Sequence, residues 1–185
     1  MVRLNKIYTR TGDSGTAGLV DGSRVSKSSP RMAAIGEVDE ANAAIGVALA
    51  ALDDGSLSKP LLTIQNDLFD LGADVATPGE IDGALRIVTA QVERLEREID
   101  AMNESLAPLT SFILPSGSAA VAALHLARTV VRRAERACVA LNQEETLNPQ
   151  LLAFINRLSD YLFVAARHVA AQEGGDTLWQ PGASR

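Results

Sequence analysis

The sequence predicts an all-α fold, a five-helix antiparallel bundle preceded by an irregular arm. Three observations carry this. Five stretches repeat apolar residues every three or four positions, short turn-rich connections separate them, and strand-like alternation is nearly absent. With 185 residues and 46% apolar content, the chain can bury a sizeable core as a single domain. It divides into an arm over 1–30, a bundle over 31–173 and a loose tail over 174–185.

The first helix follows the start signal Ser28-Ser29-Pro30 and runs from Arg31 to Leu52, with Ile35, Val38, Ile45, Leu49 and Leu52 on its apolar side. The second begins at Pro60, places Leu61, Ile64, Leu68, Leu71 and Val75 on one stripe, and stops before Thr77-Pro78-Gly79. The third aligns Val92, Leu95, Ile99, Met102 and Leu106, with Glu93/Arg97 and Arg94/Glu98 as i,i+4 pairs on its solvated side. The fourth spans about Ser118 to Leu141 and carries Leu124, Ala127, Val131, Ala134, Cys138 and Leu141. The fifth follows Asn148-Pro149 with Leu151, Ile155, Leu158, Leu162 and Val169. Such helices pack at crossing angles of roughly 20°.

Composition excludes several functions. A net charge of −6 and 4% aromatic residues offer neither a basic surface nor a stacking platform for nucleic acid. No run of 18 apolar residues marks a membrane span, and no early basic-plus-apolar stretch marks a signal peptide. The single cysteine, Cys138, allows no intramolecular disulfide, so a cytoplasmic location is expected. Positive charge is nevertheless concentrated in two places. Arg3, Lys6, Arg10, Arg24, Lys27 and Arg31 face only Asp13 and Asp21 in the opening segment, and four arginines crowd residues 128–136 beside Glu135, whereas residues 53–105 are strongly acidic. If the two clusters meet in a cleft, their local field can hold an anion on an acidic protein.

Residues 9–19, Thr-Arg-Thr-Gly-Asp-Ser-Gly-Thr-Ala-Gly-Leu, combine three glycines, three threonines and a serine. Glycine lets backbone N–H groups approach a ligand closely and the hydroxyls add short donors, a pattern suited to a polyanion such as phosphate. An ordinary glycine-rich loop or hairpin turn reads the same way. On the fourth helix, His125, Arg128, Arg132, Glu135 and Arg136 share one face. That row fits a solvated side, interhelical ion pairs, or an anion gripped by guanidinium forks. On the fifth, Asn156, Asp160, Phe163 and Arg167 form a matching line, which reads equally as a buried inter-helix hydrogen-bond network or a ligand site. Glu37, Asp39, Glu40 and Asn42 cluster near the start of the first helix, where acids suit the helix dipole.

Several catalytic designs are absent. The glycine segment lacks the Gly-Lys-[Ser/Thr] of a P-loop, and Ala122 and Ala165 stand three residues before His125 and His168, where a di-metal bundle needs glutamate. Cys138, at a core position, reads as a small buried hydrophobe rather than a nucleophile.

Taken together, Thr9-Arg10-Thr11-Gly12-Asp13, Lys27 within Arg-Val-Ser-Lys, Val38-Asp39-Glu40-Ala41-Asn42, Phe112 to Gly117, Arg128 to Arg136 and Asn156 to Asp160 resemble the PduO-type cobalamin adenosyltransferases over nearly the whole chain. The resemblance implies a homotrimer of five-helix subunits in the ferritin-like manner. It implies transfer of the adenosyl group of ATP to cob(I)alamin, giving adenosylcobalamin and triphosphate, with Mg²⁺ accompanying the nucleotide and a reductase supplying Co(I). By that resemblance Thr9, Arg10, Thr11, Gly12, Ala17, Gly18 and Lys27 hold ATP, and Arg132, Arg133, Ala134, Glu135, Arg136 and Asn156 of the next subunit complete its site. Asp39 and Arg128 match the family's charge pair across the interface, Phe112 and Phe163 match its corrinoid-lining aromatics, and no metal ligated by protein side chains is implied.

The resemblance makes Lys27, Arg132 and Phe112 the catalytic residues. Co(I) is a strong nucleophile, so attack on the ribose C5′ needs alignment and a stabilised leaving group rather than a protein base. Lys27 and the arginines suit the charge growing on triphosphate. Phe112 against the lower corrin face would keep a lower ligand off Co(II) and ease its reduction. The chain departs from the pattern at Ala17, where the family usually has Thr, at Ala41, usually Leu, and at Ser116, usually Gly. The lost hydroxyl at 17 weakens ATP binding by on the order of 1 kcal/mol at most. Two other readings use the same residues: a helical interaction protein whose arginine row pairs with an acidic partner, and an ATP-binding corrinoid carrier that turns over slowly.

Overall fold

The computed structural model describes residues 7–53 and 55–185; Arg3 and Lys6 of the basic opening segment and Asp54 of the acidic stretch lie outside the described residues. A short hairpin opens it. β1 (Thr16–Gly18) pairs antiparallel with β2 (Arg24–Ser26), with Thr16 opposite Ser26, Ala17 opposite Val25 and Gly18 opposite Arg24. Five helices follow: α1 (Pro30–Ala51), α2 (Ser58–Val75), α3 (Thr89–Asn103), α4 (Ala119–Glu144) and α5 (Pro149–Gln172).

Each boundary has a local cause. The Ser29 hydroxyl accepts from Met32 N, with Pro30 starting α1; Ser118 accepts from Val121 N at α4; Asn148 accepts from Gln150 N, with Pro149 starting α5. A side chain at each of these ends satisfies an N–H that no helical carbonyl can reach. At α3 the Gln91 side chain turns back to accept from Val88 N, 3.0 Å away. The second helix begins at Ser58, two residues before the expected Pro60. Proline is tolerated there because first-turn N–H groups have no intrahelical acceptor.

The core is a row of packed helices, with α4 lying between α1 and α5, α2 against α1, and α3 against α5. The expected stripes of α2 and α4 are buried along their whole length. On α1 the core face is instead Ala34, Val38, Ala41, Ile45 and Ala48, while Ile35, Leu49 and Leu52 sit at its margin. Small residues there let α1 and α4 approach closely.

The tail expected to be loose from Gly174 is tied down in its first half. Leu114 N donates to Thr177 O (2.8 Å), Trp179 N to Phe112 O (2.7 Å) and the Ser111 hydroxyl to Trp179 O (2.9 Å). Arg167 is buried in α5 and needs acceptors, which Asp176 (2.9 Å) and Ala107 O (2.8 Å) provide.

Asp74, only 1% exposed at the end of α2, accepts from Arg86 (2.6 Å), Ile87 N (2.8 Å) and Asn148 Nδ2 (2.7 Å), tying the α2–α3 and α4–α5 connections together. Replacing Asp74 with Ala leaves the buried Ile87 N–H without its acceptor and removes the carboxylate that neutralises Arg86, while Arg86 keeps Thr77 O and Asn148 keeps Ile87 O. Urea denaturation should show a loss of about 3 kcal/mol, and a loss below about 1 kcal/mol would contradict this role.

Candidate functional site

The glycine-rich arm is a structured platform. Arg24 closes it: its Nη2 donates to Thr11 O (2.8 Å), Thr16 O (3.0 Å) and Thr16 Oγ1 (2.8 Å), and its Nε also reaches Thr16 Oγ1 (3.1 Å). Sequence reasoning counted Arg24 as a charge and missed this fastening, because its partners are set by the hairpin register, which places Arg24 opposite Gly18, rather than by any local spacing. Lys27 N donates to Gly15 O (2.8 Å), and a Cβ at Gly12 would stand 3.1 Å from Lys27 Nζ. Gly12 is therefore the residue that admits the lysine ammonium over the loop. Thr9 and Thr11 share a hydroxyl contact of 2.8 Å, and Arg10, at φ 65°, lays its guanidinium 5.7 Å from the Tyr8 ring centroid. Ala17 and Gly18 lie in β1 beside this group.

A second constellation lies on α4 and α5. Arg132, Glu135, Arg136 and Asn156 line an open cleft of about 430 Å³ together with Val139, Ala140 and Gln143. Asn156 Nδ2 donates to Glu135 Oε1 (2.8 Å), which orients both over the cleft. Among the described residues, Arg128, Arg132 and Arg136 have no carboxylate ion-pair partner. Interhelical pairing falls to Arg133, which holds Glu37 and Glu40 of α1. Arg133 and Ala134 thus stand away from the cleft, Ala134 being fully buried. Successive helical residues turn by about 100°, so 132, 135 and 136 share a side that 133 and 134 cannot.

None of the described residues of the arm lines this cleft. Lys27 is not among the residues that line the cleft of Arg132. The candidate interface pair is likewise apart. Asp39 is exposed, makes no ion pair among the described residues, and lies in a groove with Asn42, Leu62, Gln65 and Phe69. Arg128 is half-buried, its Nε lacks a partner, and its guanidinium lies 5.9 Å from the Phe163 ring centroid. Burial, then the charge of Arg132, lowers its pKa from the ordinary value.

The polar line of α5 is not the buried Asn–Asp pair that the spacing allowed: Asn156 and Asp160 are exposed, and Asp160 meets Arg157 at 3.4 Å. Asn42 instead exchanges hydrogen bonds with Gln65, each side-chain amide donating to the other's backbone carbonyl at 3.1 Å. The Cys138 thiol is pushed up to about 12, by burial first and Glu135 second, which removes it as a nucleophile at neutral pH.

Phe112 is 78% exposed and meets Trp179 edge-on with centroids 6.0 Å apart. Leu109, Leu114 and Leu178 extend this into an exposed apolar surface. Phe163 packs edge-on to His125 at 6.4 Å. His125 is 3% exposed with Nδ1 unpartnered, and burial, then Arg128, lowers its pKa from 6.5 against the opposing pull of Asp176.

The sequence model of the family described as Cobalamin adenosyltransferase matches residues 7–169. A corrinoid adenosyltransferase of Mycobacterium tuberculosis is 49% identical over 190 residues, covering 100% of this chain and 97% of that protein. One of Bacillus subtilis is 45% identical over 183 residues, covering 96% and 94%. Among solved structures, a variant PduO-type ATP:corrinoid adenosyltransferase from Lactobacillus reuteri complexed with cobalamin and ATP superposes with a TM-score of 0.88. It is 40% identical and covers 95% of this chain and 99% of its own.

His125 gives a pH signature. A histidine whose pKa falls on folding binds fewer protons folded than unfolded, so stability is full above about 6.5 and declines as pH drops below that value. Thermal unfolding should show this acid-side decline in the native chain and a shallower one in His125→Gln; identical slopes would exclude the effect.

Proposed function

The chain belongs to the cobalamin adenosyltransferase family, and we propose that its catalytic site closes between two copies of the chain, the arm of one meeting the α4 cleft of the next. The reaction is transfer of the 5′-deoxyadenosyl group of ATP to cob(I)alamin. The cobalt lone pair forms the Co–C5′ bond while the C5′–O bond breaks and its electron pair leaves with triphosphate. One observation carries the assembly: two guanidiniums on α4, Arg132 and Arg136, lack carboxylate ion-pair partners among the described residues and border a cleft to which no described residue of their own chain's arm contributes. Cations arranged this way favour an anion brought from outside.

In this reading Thr9, Arg10, Thr11, Gly12, Ala17, Gly18 and Lys27 cradle the nucleotide through backbone N–H groups, hydroxyls and the lysine ammonium. Arg132, Glu135, Arg136 and Asn156 of the adjoining copy complete the site. Lys27 and Arg132 stabilise the charge that grows on the leaving triphosphate. Unpaired Asp39 and half-buried Arg128 are complementary, and a trimer that joins them relieves the unpaired guanidinium. Arg133 and Ala134 support the site from behind, Arg133 through Glu37 and Glu40.

Phe112 and Phe163 offer apolar faces to the corrin. An exposed phenyl pressed against the lower face excludes a ligand from cobalt, leaving a four-coordinate Co(II) that accepts an electron more readily. A reductase must supply that electron. No three His, Cys, Asp or Glu gather as a metal cluster among the described residues, so Mg²⁺ fits best as a chelate of the triphosphate. There it would neutralise phosphate charge. No helix among the described residues is long and apolar enough to cross a membrane, and Cys138 is a free thiol, in keeping with a reducing cytoplasm.

Complementation tests the assembly. Lys27→Ala and Arg132→Ala should each lose most activity in an absorbance assay of cob(I)alamin consumption. Mixed oligomers of the two should regain roughly a quarter of native activity, because random assembly rebuilds that share of intact seams. A site within one chain would regain none. Phe112→Ala should slow turnover starting from Co(II) by at least about tenfold, equivalent to 1.4 kcal/mol of barrier, while leaving ATP affinity unchanged; an unaltered rate removes the wedge.

A further inference from the structure

The last carbonyls of α2 show how the arm is fastened to the bundle. A helix leaves its final carbonyls without intrahelical donors, and here each finds one. Gly72 O accepts from Ala76 N (2.9 Å), Ala73 O from the Thr77 hydroxyl (2.8 Å), and Asp74 O from Thr77 N and Arg86, both at 3.1 Å. The next two are taken by groups flanking the arm. Val75 O accepts from Arg31 Nη1, and Ala76 O from Val20 N at 3.1 Å.

These two donors bracket Lys27. Val20 stands seven residues before it, in the hairpin turn, and Arg31 four residues after it, in the first turn of α1. Arg31 is 4% exposed, and its other amino group holds Glu145 at the end of α4 (2.6 Å). A buried guanidinium aimed at a helix C-terminus is favoured by the negative end of the dipole. Both ends of the lysine-bearing segment are thereby fixed to adjacent carbonyls of one rigid helix.

We infer that Arg31 is a positioning residue for nucleotide binding, holding the arm and Lys27 in their binding geometry through the C-terminus of α2 without touching the nucleotide. This rests on the reading that the arm binds ATP. A loop held in its bound shape loses less freedom on binding, so the effect falls on ATP affinity rather than on the chemical step.

Two variants address it by independent routes. Arg31→Ala removes the α1 fastening, with Arg31→Lys restoring one of its two contacts. Val20→Pro removes the N–H that Ala76 O accepts. Val20 is exposed and is the second residue of a turn closed by Gly22 N to Leu19 O (3.1 Å), a position where proline suits the backbone, so the hairpin survives. With cob(I)alamin as acceptor, Arg31→Ala and Val20→Pro should each raise KM for ATP by about fivefold or more. kcat and cob(II)alamin affinity should stay within about twofold of the native chain, and Arg31→Lys should lie between native and Ala. Amide exchange at Val25 and Lys27 should quicken in both variants while the α5 core stays protected. Lys27→Ala, measured alongside, separates the two ideas. If it leaves ATP kinetics unchanged, the arm is not the nucleotide site. If it impairs them while Val20→Pro and folded Arg31→Ala keep the native KM, Arg31 does not position the arm. Should Arg31→Ala fail to melt cooperatively, Val20→Pro decides alone.

Discussion

The packing of α4 between α1 and α5 is the constraint on which the rest depends. Leu124, Ala127, Val131, Ala134, Cys138 and Leu141 are removed from water along one stripe. A helix covered on two sides keeps a narrow strip of its surface for polar residues, and Arg128, Arg132, Glu135 and Arg136 occupy it. Burying those six apolar groups dominates the energy of the helix, so the cations are displayed where the core leaves them room.

The arginines of α4 then divide by direction. Arg133 points towards α1 and is neutralised by two glutamates, whereas Arg128 has no such partner, and burial first and the neighbouring Arg132 second lower its pKa. Like charges held together without an ion-pair partner raise the energy of the single chain, and an anion placed between them would lower it. The same logic covers Phe112, whose exposed ring loses contact with water only when another surface lies over it. Cations without ion-pair partners, an exposed carboxylate and an exposed phenyl are the groups of the single chain that a second surface would satisfy.

Rigidity comes from the bundle's ends. Asp74 gathers Arg86, Ile87 and Asn148, and the carbonyls that follow it hold Arg31 and Val20. Loops that would otherwise move are referred to the end of α2, which would suit the proposed site, whose two halves meet at fixed geometry. The C-terminal residues 176–179 are fixed in the same manner, because buried Arg167 requires Asp176.

The helices were legible because apolar periodicity is a local property: three- and four-residue spacing marks the stripe whatever the neighbour, and Ser29-Pro30, Ser118 and Asn148-Pro149 mark the starts. The residue types around Thr9 to Lys27 and Arg128 to Arg136 likewise identified the family without coordinates. What only the tertiary structure decided was which polar groups meet. Arg133 reaches Glu37 across 96 positions, Arg31 reaches Glu145 across 114, and the tail closes on Phe112 through Trp179. The role of Arg24 and the separation of Arg133 and Ala134 from the cleft belong there too. A linear sequence fixes the angle of a side chain about its own helix, but its partner depends on how helices distant in the chain are brought together.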